Sequence, residues 1–123
     1  MPKEIRVLVV DDNKSVVRAI REQLEKSAFL VSEAFTGRQS IEMLNKEKFD
    51  LMTLDLLMPD MNGTDVLKWL RQNENPELKK MPVVIITAFP DIAKSIEQMS
   101  NTYHLGAKEI GKLADKAKEI LKI

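Results

Sequence analysis

Asp55 is an acid placed where an acid is expensive. It falls inside LMTLDLLMPDMNG (Leu51 to Gly63), where a strongly hydrophobic run gives way to a loop marked by Pro59 and Gly63. Asp11 and Asp12 end a second apolar run, Ile5 to Val10. A carboxylate at the carboxyl end of a buried strand is costly to desolvate unless another group compensates its charge. If the two strand ends meet, the three carboxylates form a site for a cation.

Whether they meet depends on the elements that carry them. Ile5 to Val10 is rich in β-branched residues and too short for a helix, as expected of a parallel strand covered on both faces. Asn13 or Asp12 can cap the helix that follows, whose Val16, Val17, Ile20 and Leu24 recur on one face. Phe29 to Phe35 reads as a second strand, and Gly37 turns the chain into a helix carrying Ile41, Met43 and Leu44. Phe49 to Leu57 is the third strand, followed by the helix of Val66, Leu67 and Leu70, with Pro76 and Pro82 at its exit. Val83 to Ile86 is a fourth strand ending at Thr87-Ala88. Pro90 then opens a helix containing Ile92, Ile96 and Met99. A weaker strand over Tyr103 to Ala107 and a final helix with Leu113, Ala117, Ile120 and Leu121 complete the chain.

Strand and helix therefore alternate five times, the pattern of an α/β, doubly wound parallel sheet with helices on both faces. Ligands of such sheets bind outside the carboxyl ends of the strands, where strand order reverses. Asp11, Asp12, Asp55 and Thr87 all lie at such ends.

Composition narrows the function. The 123 residues suit a single domain spanning 1–123, able to bury roughly two thirds of its unfolded surface. Nineteen basic residues balance nineteen acidic ones and are interspersed with them, so no basic stripe points to nucleic acid or a membrane surface. Cysteine is absent, which excludes disulfide and thiol chemistry and fits a reducing compartment. No signal core or membrane-spanning run is present, and a cytoplasmic location is expected.

Asp11-Asp12 after the first strand, Asp55 with Pro59 and Gly63, Thr87-Ala88 after the fourth strand, and a late lysine together resemble the receiver domain of two-component response regulators. The resemblance covers essentially the whole chain. It implies the flavodoxin-like strand order 2-1-3-4-5, as in chemotaxis receivers. It also implies that Asp55 accepts a phosphoryl group from a histidine kinase or a histidine phosphotransfer protein. Three clustered carboxylates repel one another, and Mg²⁺, which takes oxygen ligands and keeps several waters, suits them. By resemblance Asp12, Asp55 and the Leu57 carbonyl ligate it, while Asp11 acts largely through water. Thr87 and a lysine would contact the phosphoryl group. Lys108 is favoured over Lys112, because its separation from Thr87 is close to the family's and leaves a full-length final helix.

The same resemblance implies an output surface for a downstream protein on the fourth helix, fifth strand and fifth helix, and no enzymatic activity beyond the domain's own phosphorylation and slow dephosphorylation. The chain ends where the family's last helix ends, so no output domain is expected. Leu57 and Phe89 occupy the positions that tune hydrolysis, and both are apolar, which favours a long-lived phosphoryl group. Three departures stand out. Glu109 follows the lysine where the family usually has a cis proline, so a trans peptide is expected there. Ser27-Ala28 replaces the glycine that usually ends the first helix. Leu105 takes the place of the switch aromatic, with Tyr103 on the same strand face as its substitute.

These departures leave a pseudo-receiver, binding partners without phosphorylation, as the alternative. A haloacid-dehalogenase-like phosphatase would need Asp-x-Asp rather than an adjacent pair. A flavodoxin-like redox protein would need a phosphate loop that Asp-Asp-Asn-Lys-Ser would repel. His104 and Trp69 read as structural residues, and the lysines of the final helix as a solvated face.

Overall fold

Alternation along the strands decides the architecture. In the computed structural model, which describes residues 4–96 and 98–123, successive strand residues enter two separate apolar layers. The strands are β1 (Arg6–Val10), β2 (Leu30–Ala34), β3 (Leu51–Leu54), β4 (Val83–Thr87) and β5 (Thr102–Gly106). The helices are α1 (Lys14–Glu25), α2 (Gly37–Lys46), α3 (Gly63–Arg71), α4 (Pro76–Lys79), α5 (Pro90–Ile96) and α6 (Leu113–Leu121). The five strands form one parallel sheet in the order β2-β1-β3-β4-β5. Val7, Val9, Leu51, Val84 and Ile86 pack with Val17, Ile20 and Leu24 of α1 and Leu113 and Ala117 of α6. Leu8, Val10, Met52, Leu54, Val83 and Ile85 pack with Leu44 of α2, Val66, Leu67 and Leu70 of α3, and Ala93 and Ile96 of α5. Helices thus cover both faces. Among the described residues no helix is long and apolar enough to cross a membrane.

Several boundaries differ from the sequence reading, each for a local reason. β3 begins at Leu51 because Asp50 turns aside to accept the Arg6 backbone N–H at 2.9 Å, while the Phe49 ring packs beneath the Arg6 guanidinium at 4.9 Å. It ends at Leu54 because the Leu56 carbonyl accepts from Gly63 N–H at 2.9 Å, closing a loop. A single helical turn, α4, arises where the Asn75 side chain accepts from Glu77 N–H and Pro76 opens the turn, so the expected fourth helix is α5 and the final one is α6. Met99 lies beyond α5. β5 starts one residue early and hands over to a 3-10 segment, Ala107–Lys112.

The cap of α1 is Asn13, whose side chain accepts from Ser15 N–H and Val16 N–H at 2.9 and 3.2 Å. At the other end Ala28 occupies the left-handed region with φ 65°, and Phe29 N–H returns to the Leu24 carbonyl at 3.2 Å. This is a helix stop that glycine fits best. A non-glycine residue there costs about 1–2 kcal/mol, while glycine's extra freedom in the unfolded chain takes back ~0.4–1 kcal/mol. Ala28→Gly should therefore stabilise the fold by about 0.5–1 kcal/mol. Urea unfolding should show a higher midpoint with an unchanged slope; a lower midpoint would mean that the left-handed turn is not formed in solution.

Candidate functional site

The register of the sheet assembles the site before any side chain is considered. β1 and β3 pair Val10 with Leu54, so the next residue of each strand, Asp11 and Asp55, emerge side by side. This is where the strand order reverses, with β2 lying beyond β1 and β4 beyond β3. Asp55 N–H donates to the Val10 carbonyl at 3.0 Å, and Asp11 N–H to the Ala34 carbonyl at 3.1 Å, which fixes both backbones. One carboxylate oxygen from each of Asp11, Asp12 and Asp55 lies within 4.8 Å of the others. All three line one open cleft together with Leu57, Thr87 and Phe89.

Burial grades the three acids. Asp11 is buried, Asp55 is half-buried and Asp12 is exposed. Desolvation pushes the Asp11 carboxyl up to about 6, opposed by the Asn13 N–H that it accepts at 2.9 Å and reinforced by the charges of Asp55 and Asp12. Asp55 is also raised, first by desolvation and then by Asp12, with the backbone N–H groups of Leu57 and Leu56 working against the shift. Among the described residues no lysine or arginine pairs with any of the three. Hard oxygen donors, mutual repulsion and an uncompensated charge fit a small divalent cation such as Mg²⁺.

The loop after Asp55 folds back tightly. A Cβ on residue 63 would stand 2.2 Å from the Asp55 carbonyl oxygen and 2.8 Å from the Leu56 Cα, so only glycine lets the loop close. Leu56 and Met58 are buried, and Leu57 between them is 45% exposed at the cleft. Across the cleft Phe89 is 49% exposed. Thr87 is buried at the end of β4; its hydroxyl oxygen accepts from Phe89 N–H at 3.2 Å, and among the described residues no acceptor takes the hydroxyl proton.

The two late lysines are treated differently. β4 and β5 pair Thr87 with Gly106, which brings the turn after β5 to the same edge as the acids. Lys108 lies exposed on the 3-10 segment, and no ion pair holds it among the described residues. Its neighbours Ala107 and Ile110 line the cleft, whereas Lys108 does not. Lys112 pairs with Glu109 at 3.6 Å, and the same Glu109 carboxylate accepts from Gly106 N–H at 3.0 Å. The Gly106 bond first, and Lys112 after it, hold the Glu109 carboxyl below the usual range. Among the described residues no peptide bond is cis, so the Lys108–Glu109 link is trans as expected. Leu105 is buried in the layer of α1 and α6, and Tyr103 packs against the same layer beneath the Lys116 ammonium at 5.8 Å.

Two features escaped the sequence reading. Glu109 as a cap was foreshadowed by its spacing, three residues after Gly106 at the start of a helical segment. Asp60 had no local signal: its carboxylate reaches across to the start of α2, accepting from Gly37 N–H and Arg38 N–H at 3.0 and 3.1 Å. A wider cleft at the opposite, amino-terminal edge of the sheet is lined by Arg71, Lys79, Lys80 and Asn101, and among the described residues it gathers no comparable reactive cluster.

Comparison with known proteins agrees with this geometry. The model of the response regulator receiver domain family matches residues 7–110. The polar-differentiation response regulator DivK of Brucella anthropi is 30% identical over 89 residues, which are 72% of this chain and 69% of that protein. The Francisella response regulator 1452 receiver domain superposes with a TM-score of 0.83 at 24% identity, over 97% of this chain and 98% of that one. TrrA of Thermotoga maritima, solved in complex with Mg(2+)-BeF, gives 0.82 at 22% identity, over 94% and 98%. A family match running from the first strand to the turn after the last leaves one conclusion: the chain belongs to the response regulator receiver domains of two-component systems, signalling modules rather than conventional enzymes, whose role implies a kinase partner.

Proposed function

We propose that the chain is a phosphoacceptor switch in which Asp55 receives a phosphoryl group from the phosphohistidine of a kinase or phosphotransfer protein. The observation that carries this reading is the half-buried Asp55 carboxylate within 4.8 Å of two further carboxylates, at the strand edge where Thr87 also ends. A carboxylate oxygen of Asp55 attacks phosphorus, the phosphorus–nitrogen bond breaks, and the leaving imidazole takes its proton from solvent. Asp12, Asp55 and the Leu57 carbonyl, with Asp11 acting through water, would hold Mg²⁺, which would supply positive charge against the phosphoryl oxygens. The Thr87 hydroxyl donates to the phosphoryl group, and Lys108 adds an ammonium from the turn after β5. Neither Leu57 nor Phe89 can orient an attacking water, and together they shield the product. The output surface is the face of α5, β5 and α6, offered to a downstream protein. TrrA, which shares this fold, was solved in complex with Mg(2+)-BeF, and that supports the reading.

The pseudo-receiver reading draws support from one observation, that Lys108 does not line the cleft. Incubation with acetyl phosphate and Mg²⁺ separates the two. The parent should gain one phosphoryl group by intact mass and Asp55→Asn none. An unlabelled parent would favour the pseudo-receiver, and undiminished labelling of the variant would place the acceptor elsewhere.

The lysine assignment is tested by the same labelling. Lys108→Ala should slow it by about 10-fold or more, as loss of a charge-stabilising group does, while Lys112→Ala should leave it nearly unchanged. The reverse order would transfer the role to Lys112.

The acids also set a pH dependence. Because Asp11 titrates near 6 in the fold against 3.8 when unperturbed, the native state binds more protons than the unfolded chain between these values. Stability therefore falls as pH rises through that window, and the penalty is complete above it. Metal-free Asp11→Asn should exceed the parent at neutral pH by about 1–2 kcal/mol, less than the full shift because solvent relaxes the charge. That advantage should vanish below pH 3.8. Mg²⁺ at a hundredfold excess over its Kd should stabilise the parent by about 2.7 kcal/mol and the variant by less. Parallel melting curves for the two proteins at every pH would remove Asp11 as the strained group.

A further inference from the structure

We infer that Asp60 is a positioning residue for the phosphoacceptor loop, tying its tip to the amino terminus of α2 and thereby setting how well Asp55 and Leu57 hold a divalent cation. The inference rests on the phosphoacceptor reading above.

The loop is anchored at its base by Gly63 N–H to the Leu56 carbonyl at 2.9 Å and by the buried side chains of Leu56 and Met58. Its tip has little else. Pro59 and Asp60 are exposed, and Met61 is only partly buried. What fixes the tip comes from α2. The Asp60 carboxylate accepts from Gly37 N–H and Arg38 N–H, one oxygen to each, at 3.0 and 3.1 Å. Beside these bonds the Met61 side chain presses on Gly37 so closely that a Cβ there would meet Met61 Cβ at 2.9 Å. The contact is thus two-pronged, polar at Asp60 and steric at Met61.

The remaining donors of α2 are already occupied from within the helix. Thr36 Oγ1 accepts Gln39 N–H at 3.0 Å and the Thr36 carbonyl accepts Ser40 N–H at 3.1 Å. Asp60 therefore fills the two places that the helix's own cap leaves open, and it does so from the loop that carries the site. Asp60 stands three residues beyond Leu57, so removing the tether loosens the far end of the segment on which the Leu57 carbonyl rides, while Leu56 and Met58 still anchor its base.

A capping role alone would make the same bonds, so the test compares two caps of one helix. Asp60→Ala cuts the tether; Thr36→Ala removes the helix's own cap and leaves the loop untouched. Asp60→Asn, which keeps one acceptor oxygen, serves as the conservative variant. Mg²⁺ affinity by calorimetry and acetyl-phosphate labelling are read beside thermal melting. Asp60→Ala should weaken Mg²⁺ binding by about 10-fold, the lower end of the range for groups that orient metal ligands, with Asp60→Asn between it and the parent. Thr36→Ala should lower the melting temperature while changing Mg²⁺ affinity less than about twofold. Equal affinities in the parent and both Asp60 variants would reduce Asp60 to a cap, and equal losses in Thr36→Ala would assign the effect to helix stability. A parent that binds Mg²⁺ but is not labelled would overturn the phosphoacceptor reading while leaving the tether measurable; a parent that does neither would overturn both.

Discussion

The pairing of Val10 with Leu54 is the constraint from which the rest of the molecule follows. Both strands run in the same direction and in register, so the acids that follow them cannot separate without breaking the ladder that holds the core. Their repulsion is built in. Two apolar layers, one under α1 and α6 and the other under α2, α3 and α5, hold the ladder against it. Burial first, and that repulsion after it, push the Asp11 carboxyl up to about 6. Folding here creates a concentration of negative charge, and a bound cation relieves it, so stability and occupancy of the cleft are linked.

Most of this was legible in the chain because apolar runs stop at polar residues. Ile5 to Val10 ends at Asp11 and the fourth strand ends at Thr87, and the structure keeps both boundaries. The end of β3 was obscured because hydrophobicity outlasts the ladder there. Leu56 and Met58 remain buried from within a loop, so the pattern of core residues continues where strand pairing has stopped. The single turn α4 was hidden for the opposite reason, since Pro76 reads as punctuation until Asn75 is seen to cap the turn that it opens. The Asp60 tether joins segments more than twenty residues apart in sequence, and no local spacing encodes it.

The pair of late lysines shows where spacing alone runs out. Both stand near the end of the sheet, and what separates them is a third side chain. Glu109 divides its carboxylate between Gly106 N–H and Lys112, which occupies Lys112, while among the described residues no ion pair holds Lys108 on the same turn. Since Gly106 is also the ladder partner of Thr87, the hydroxyl and the lysine turn share one mechanical frame. Burial of Leu105 beside Ile86 couples that frame to the layer of α1 and α6, with Tyr103 at its margin.

The tight return at Gly63 gives the protein an optical reporter. Gly63 is both the closing point of the Asp55 loop and the first residue of α3, so the loop and the helix have no slack between them. Two turns along that helix stands Trp69, the chain's one tryptophan, partly buried against the layer beneath it. A displacement of the loop that shifts α3 moves the indole relative to its packing, and its emission registers the change without a label. The backbone contact that forbids a side chain at position 63 thus ties the loop after Asp55 directly to the helix that carries the indole.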